Sequence, residues 1–221
     1  MGAYQGVSKF IGKNLAKVAK EMKYQEDNIL ILNGELDTLK SKYPQTFQNI
    51  ISCQHHADKR SPLQYARDLV SSWIMEDYFF NILKSESYNI TLSGADQNRT
   101  ILSNTKTSSS SDYLISQSSK KIKLELMNDY TGFWEKTKKF HLRDFKYNNL
   151  YNEQAVLLGV SVPTNKFFLY DFNDNINAKK IDSHHPYGGK SAYEIEIGNG
   201  DLKEFNVDNL QKEIVTTLER R

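Results

Sequence analysis

The chain has 221 residues, 38% of them hydrophobic and 25% charged, which is enough apolar material for one globular domain with a substantial core. Its formal net charge is only +2, so no overall basic excess announces a nucleic-acid partner, and charge leaves that question open. A single cysteine, Cys53, excludes an intramolecular disulfide and fits a reducing cytoplasm, and no apolar run near the N-terminus is long enough for a signal peptide or a membrane span.

Residues 7–23 have the spacing of an amphipathic helix, with Phe10, Ile11, Leu15, Val18, Ala19 and Met22 on one side and Lys9, Lys13, Lys17, Lys20 and Lys23 elsewhere. A basic helix of this kind can meet a membrane or DNA phosphate, but a solvated face over a packed stripe is the commoner use. A second helix is expected over Glu26–Lys42, where Ile29, Leu32, Leu36 and Leu39 recur at helical spacing, and a third after Pro44 with Phe47, Ile50 and Ile51. This helical region, residues 1–60, is expected to serve dimerisation or to clamp DNA ahead of a core over residues 61–221. His55 and His56 are adjacent on a helix and point in different directions, which argues against a joint metal site.

Pro62–Lys84 is expected to form one long helix with Leu69, Val70, Trp73, Ile74, Phe80 and Leu83 facing inward. Glu76 falls on that stripe, and a buried Glu needs a charged partner or a metal ion. A Glu at the stripe's edge, paired with a nearby basic residue, fits equally well. Tyr88–Leu92 is a short strand, followed by a polar turn in which Asp96, Asn98 and Arg99 are either a surface connection or within reach of a phosphate or base edge. Thr105–Ser111 is low in complexity, and such a loop can become ordered on a nucleic acid.

The next stretch concentrates the chemistry. Asp112 heads the apolar run Tyr113-Leu114-Ile115, a polar turn follows, and Lys121–Met127 alternates, so a two-stranded hairpin is expected. Ile122, Leu124 and Leu126 would face the core, and Lys123, Glu125 and Met127 a cleft. Pairing about the polar centre brings Asp112 towards Glu125, and two carboxylates held close repel unless a cation sits between them. Hard oxygen ligands with no Cys or His nearby suit Mg²⁺, which commonly bridges protein carboxylates to phosphate, so phosphodiester hydrolysis is the first chemistry to consider.

At these residues the sequence resembles the PD-(D/E)XK nucleases, and among them the type II restriction endonucleases. Asp112, the gap and Glu125-Leu126-Met127 stand at the places of the motif. Two positions depart from it: Ser111 replaces the Pro, and Met127 sits where the Lys belongs. Met cannot orient a water, so that job is either done by another residue or not done; Lys123 is slightly preferred for it, and Lys146 is the other candidate. The resemblance implies an α/β, restriction-endonuclease-like fold with a mixed central sheet flanked by helices. It also implies Mg²⁺ held by Asp112, Glu125 and the carbonyl of Leu126, with Glu76 as the further acidic residue on the preceding helix and Asp129 in reserve. Its implied partners are double-stranded DNA, a second copy in a two-fold homodimer, and a cognate DNA methyltransferase in the cytoplasm, with no membrane. Two alternatives accompany it: a repair or junction nuclease of the same fold, and a DNA-binding protein that has lost catalysis, which Met127 keeps open.

Beyond the hairpin, Lys136, Lys138 and Lys139 lie beside Phe133 and Trp134, a mixture that suits a nucleic-acid surface, although Trp134 fits a core equally well. Phe145–Gln154 is expected as a helix, Ala155–Val160 and Lys166–Asp171 as strands, and their alternation argues for a mixed sheet covered on both faces. Asp182–Ser191 is irregular. Gly189-Lys190-Ser191 is not a phosphate loop, because His184 stands where that motif needs Gly and no strand-loop-helix context surrounds it. The turn with Tyr187 and Lys190 either enters a groove or lies plainly on the surface. The candidate DNA contacts are Asn98, Arg99, Lys138, Arg143, Lys146, Tyr187 and Lys190. Tyr193–Ile197 alternates as a strand, and a last helix over Asn206–Arg221 is capped by Asn206 or Asp208.

Overall fold

The computed structural model describes residues 2–52, 60–94, 97–101, 111–174, 177–198 and 200–221. Cys53, His55, His56, Asp96 and the Thr105–Ser110 run lie outside the described residues. The chain divides into two compact units, residues 1–78 with 96–107 and residues 79–95 with 108–221.

The first unit holds α1 (Ala3–Ile11), α2 (Leu15–Glu21), α3 (Glu26–Asn33), α4 (Leu36–Lys42), α5 (Pro44–Ser52) and most of α6 (Pro62–Ile82), which runs on into the second unit. Two helices that the apolar periodicity suggests are continuous are each broken in two. Gly12 ends α1 with φ 71°, and the Asn14 side chain accepts from Lys17 N to start α2; Gly34, at φ 76°, separates α3 from α4. A glycine in the left-handed region stops a helix even when the hydrophobic stripe continues, and after Gly12 the Asn14 cap starts the next one. Val7, Leu15, Val18, Ile31, Leu32, Leu39, Ile50, Val70, Trp73 and Ile74 are buried in these helices.

Arg99, at φ 49°, carries the main polar cluster of this unit. Its guanidinium donates to Glu76 Oε2 and Asp77 Oδ1, each at 2.6 Å, and its carbonyl accepts from Asn28 Nδ2 at 2.9 Å. Tyr24 OH donates to Asp77 Oδ2, and burial, with Asp77 second, pushes the Tyr24 hydroxyl far above its ordinary range. Glu76 therefore has a charged partner from the polar turn, which is how a half-buried carboxylate in a helix is tolerated.

The second unit is built on a six-stranded sheet. Its strands are β1 (Asn89–Leu92), β2 (Tyr113–Gln117), β3 (Lys120–Asp129), β5 (Val156–Ser161), β6 (Lys166–Asp171) and β9 (Lys203–Glu204), in the order β1-β2-β3-β5-β6-β9. Every pairing is antiparallel except β3 with β5, which is parallel, so the sheet is mixed. A parallel pair needs a crossover, and the chain between β3 and β5 supplies α7 (Phe133–Thr137), β4 (Lys139–Arg143) and α8 (Asp144–Asn152). A second, three-stranded sheet has the order β4-β8-β7, from β4, β7 (Ala178–His184) and β8 (Lys190–Glu196). The irregular stretch of the sequence is thus the connection of a β7–β8 hairpin: a 3-10 turn at His185–Tyr187, then Gly188 and Gly189 at φ 66° and 79°. β7 is too polar to show a clear alternation in the sequence, whereas β4 does alternate, with Phe140 and Leu142 buried between Lys139, His141 and Arg143, a signal that the sequence reading passed over.

Ile122, Leu124 and Leu126 are buried on one face of β3, as their alternation requires, and α9 (Val207–Glu219) packs against β3. Asn206 caps α9, accepting from Asp208 N and Asn209 N. The opposite face carries Met127, Leu157 and Phe168 into an apolar cluster with Trp134, Phe140, Leu142, Leu150 and Ile195, so the small sheet, α7 and α8 cover the large one. Trp134 is core, 4% exposed, with its ring 5.3 Å from that of Phe168. The architecture is mixed α/β, with a mixed central sheet and flanking helices, and among the described residues no helix is long and apolar enough to cross a membrane.

Candidate active site

The β2–β3 register sets Tyr113 opposite Leu124, so the residue before β2, Asp112, arrives beside Glu125. Asp112 is held at both ends: its carbonyl accepts from Ser93 N at 2.9 Å, and its Oδ2 accepts from the Leu126 amide at 2.8 Å. Through that bond the Asp112 carboxylate reaches onto β3 one residue past Glu125. Glu125 is 8% exposed, and Lys146 Nζ from α8 stands 2.5 Å from its Oε1. The ammonium compensates a carboxylate whose burial would otherwise be costly.

Lys123 lies two residues before Glu125 on the same face and takes a different partner, Glu153 Oε1, at 3.1 Å. The other oxygen of Glu153 accepts from Ser111 Oγ at 3.2 Å, which ties the end of α8 to the residue preceding Asp112. Glu153 is a member of this cluster that the sequence reading missed. No local signal marks it: the parallel pairing of Leu124 with Val156 brings the residues just before Val156 beside Lys123, and that pairing is tertiary. Met127 is half-buried and packs on the Trp134–Phe168 cluster, opposite Gly159, so the position where the resemblance places a lysine faces apolar neighbours. Lys146, by contrast, reaches Glu125 from α8, outside the sheet.

The cluster therefore joins Asp112, Glu125 and Glu153 to Lys123 and Lys146, with hard oxygens as its only anionic donors. Among the described residues no group of three or more His, Cys, Asp and Glu side chains is gathered closely enough to hold a metal ion by itself. Mg²⁺ does not need such a cage, since it keeps several waters and is held by one or two carboxylates. Asp112 and Glu125, with the Leu126 carbonyl on the same strand, suit that demand.

Asp129 has another duty. Its Oδ1 accepts from Thr131 N, Thr131 Oγ1 and Gly132 N at 2.8, 2.7 and 3.1 Å, and its Oδ2 from Trp134 N at 3.0 Å. It fixes the turn that starts α7. Asp129→Ala leaves buried amides unpaired and is expected to destabilise the fold by about 3 kcal/mol. A denaturant melt checks this, and an unchanged midpoint would contradict the structural role.

The remaining site candidates divide by unit. Glu76, Arg99 and Asn98 belong to the first: Arg99 is engaged by Glu76 and Asp77, and Asn98 is exposed, its carbonyl accepting from Thr100 Oγ1. In the second, Lys138 pairs with Glu135 at 3.4 Å as the C-cap of α7. Arg143, Tyr187 and Lys190 come together at one end of the three-stranded sheet. The Arg143 guanidinium lies 5.2 Å from the Tyr187 ring centroid, and Lys190 is exposed and pairs in register with His184. Tyr187 OH donates to the His141 carbonyl at 2.8 Å, and burial raises its pKa. No protein-family model matches the chain, and no curated protein matches its sequence.

Proposed function

We propose that the protein is a Mg²⁺-dependent nuclease with a restriction-endonuclease-like fold that hydrolyses phosphodiester bonds of double-stranded DNA. The observation that carries this reading is the meeting of Asp112 with Glu125 on adjoining strands, with Lys146 Nζ 2.5 Å from Glu125. Asp112, Glu125 and the Leu126 carbonyl would hold Mg²⁺, which supplies an acidified water and offsets charge on the phosphate. Asp112 is preorganised for this by the Leu126 amide. Lys146, a donor with no acceptor capacity, takes the place of the motif lysine and holds the attacking water or a phosphate oxygen. That role passes to it from Lys123 because Lys146 is the lysine paired with Glu125, whereas Lys123 pairs with Glu153.

Arg143, Tyr187 and Lys190, together at one end of the three-stranded sheet, would meet the DNA backbone. Cutting both strands of a palindrome calls for a two-fold pair of chains in the cytoplasm, with a methyltransferase protecting the host's own sites. One observation favours a second reading: Met127, at the place of the motif lysine, packs against the apolar cluster, which suits a DNA-binding protein of this fold without catalysis. The test is incubation of the full chain with long unmethylated DNA in Mg²⁺ and in EDTA, followed by sequencing of the product ends. Discrete fragments sharing one short palindrome support the restriction role, a smear points to a repair-type nuclease, and binding without cleavage favours the second reading.

A further inference from the structure

A hydrogen-bonded chain of two histidines and a glutamate lies on the small sheet. Glu194 of β8 pairs with Lys139 at 2.8 Å and stands 3.2 Å from His141 Nε2 on β4. His141 Nδ1 stands 3.1 Å from His184 Nε2, at the end of β7. Lys139 and His141 hold the Glu194 carboxyl below its ordinary range, so it is an ionised acceptor, and His141 Nε2 must carry a hydrogen. With His141 neutral, its Nδ1 is then the acceptor and His184 Nε2–H the donor. That leaves His184 Nδ1, which is buried and has no hydrogen-bond partner among the described residues, as the place where a proton enters; His184 itself is 8% exposed.

We propose that the His141–His184 pair is a proton-operated latch on the 185–189 turn, closed while one hydrogen lies between the rings and released when two do. A first added proton is accommodated by tautomer exchange: His141 donates from both nitrogens, towards Glu194 and towards His184 Nε2, and His184 carries its own hydrogen on Nδ1. A second proton puts N–H against N–H between two cations, and no tautomer relieves that. The groups facing the pair are Lys139 and Glu194, Lys190 opposite His184 and Lys179 opposite Glu194 in the strand register, His185, Tyr187 with Arg143 on its ring, and the apolar Phe133 ring 5.3 Å from His141.

The turn depends on this junction. Gly189 N donates to the His184 carbonyl and Gly188 N to the His185 carbonyl, while Tyr187 OH is bonded to the His141 carbonyl and its ring lies 4.7 Å from that of His184. A register irregularity between Ile181 and His184 leaves few ladder bonds to hold that end of β7. Burial, then the neighbouring His141, lowers the His184 pKa from 6.5. The unfolded chain thus binds this proton more readily than the folded one, so the latch's stability is full above about pH 6.5 and is lost as pH falls further. The inference does not depend on the nuclease reading.

The test is long-range ¹H–¹⁵N imidazole spectroscopy of the uniformly labelled full chain from pH 8 to pH 4.5, with the Gly188 and Gly189 amides followed in the same samples. Two coupled steps are expected, with both glycine amides losing hydrogen-exchange protection only in the second. His184→Gln, whose amide can donate to His141 but does not titrate, is expected to keep the turn protected throughout. Independent titration of the two rings with unaffected glycine amides in the wild-type chain overturns the latch, as does an unchanged acid transition in His184→Gln.

Discussion

Lys146→Met is expected to slow Mg²⁺-dependent DNA cleavage by about a hundred- to a thousandfold, the usual worth of a positioned proton-transfer or charge-stabilising group. Lys123→Met is expected to stay within about fivefold of the wild-type rate, because its 48%-exposed bridge to Glu153 contributes about 1 kcal/mol at most. The contrast is informative because both lysines flank Glu125 in sequence or in space, but only Lys146 contacts it. Lys146 is also the partner of a buried carboxylate, so its loss weakens the fold, and rates must be compared where melts show both variants folded. Lys146→Arg retains charge but not the compact ammonium and is expected to recover only part of the rate. The reverse ordering, with Lys123→Met inactive and Lys146→Met active, would return the role to Lys123.

Gly159→Ala is expected to cost about 3 kcal/mol in the second unit, at the upper end for overpacking a core. Gly159 faces Phe168 across β5 and β6, and a Cβ built there would stand 2.2 Å from Phe168 Cε1 and 2.3 Å from its Cζ. The ring cannot retreat, since it packs 5.3 Å from both Trp134 and Phe140. A fall of about 6–12 °C in the thermal midpoint corresponds to that loss for a chain of this size. Phe168→Leu in the same chain should recover part of the loss by removing the ring atoms that clash, a coupling that a double-mutant cycle measures. Additive effects of the two substitutions would contradict the contact.

The hairpin around Asp112 and Glu125 was legible because strand alternation is local: Ile122, Leu124 and Leu126 identify the core face, and Asp112 and Glu125 follow from the turn between the strands. β5 and β6 were legible as short apolar runs bounded by polar residues. The contacts of Lys146 and Glu153 were not, because they depend on where α8 returns after β3, which the parallel β3–β5 pairing fixes and no local pattern encodes. Glu76 shows the same limit in the first unit. Its position on an apolar stripe revealed that it needed a partner, but whether that was a metal ion or Arg99, 23 residues away, was a matter of tertiary placement. The breaks at Gly12 and Gly34 were visible as residues and were outweighed by an unbroken hydrophobic period. The histidine chain joins β4, β7 and β8: β7 carries no local alternation, β4 carries one over only five residues, and the meeting of His141 with Glu194 and His184 depends on the pairing of the three strands.

The most direct measurement is the rate of cleavage of duplex DNA by the wild-type chain in Mg²⁺, beside Asp112→Asn, which keeps the shape but removes the charge, with matching melts for both. Cleavage that EDTA stops, reduced at least about a thousandfold in Asp112→Asn, is the expected result. A wild-type chain that leaves DNA intact in Mg²⁺, or an Asp112→Asn chain that cuts as fast as wild type, would contradict the nuclease reading.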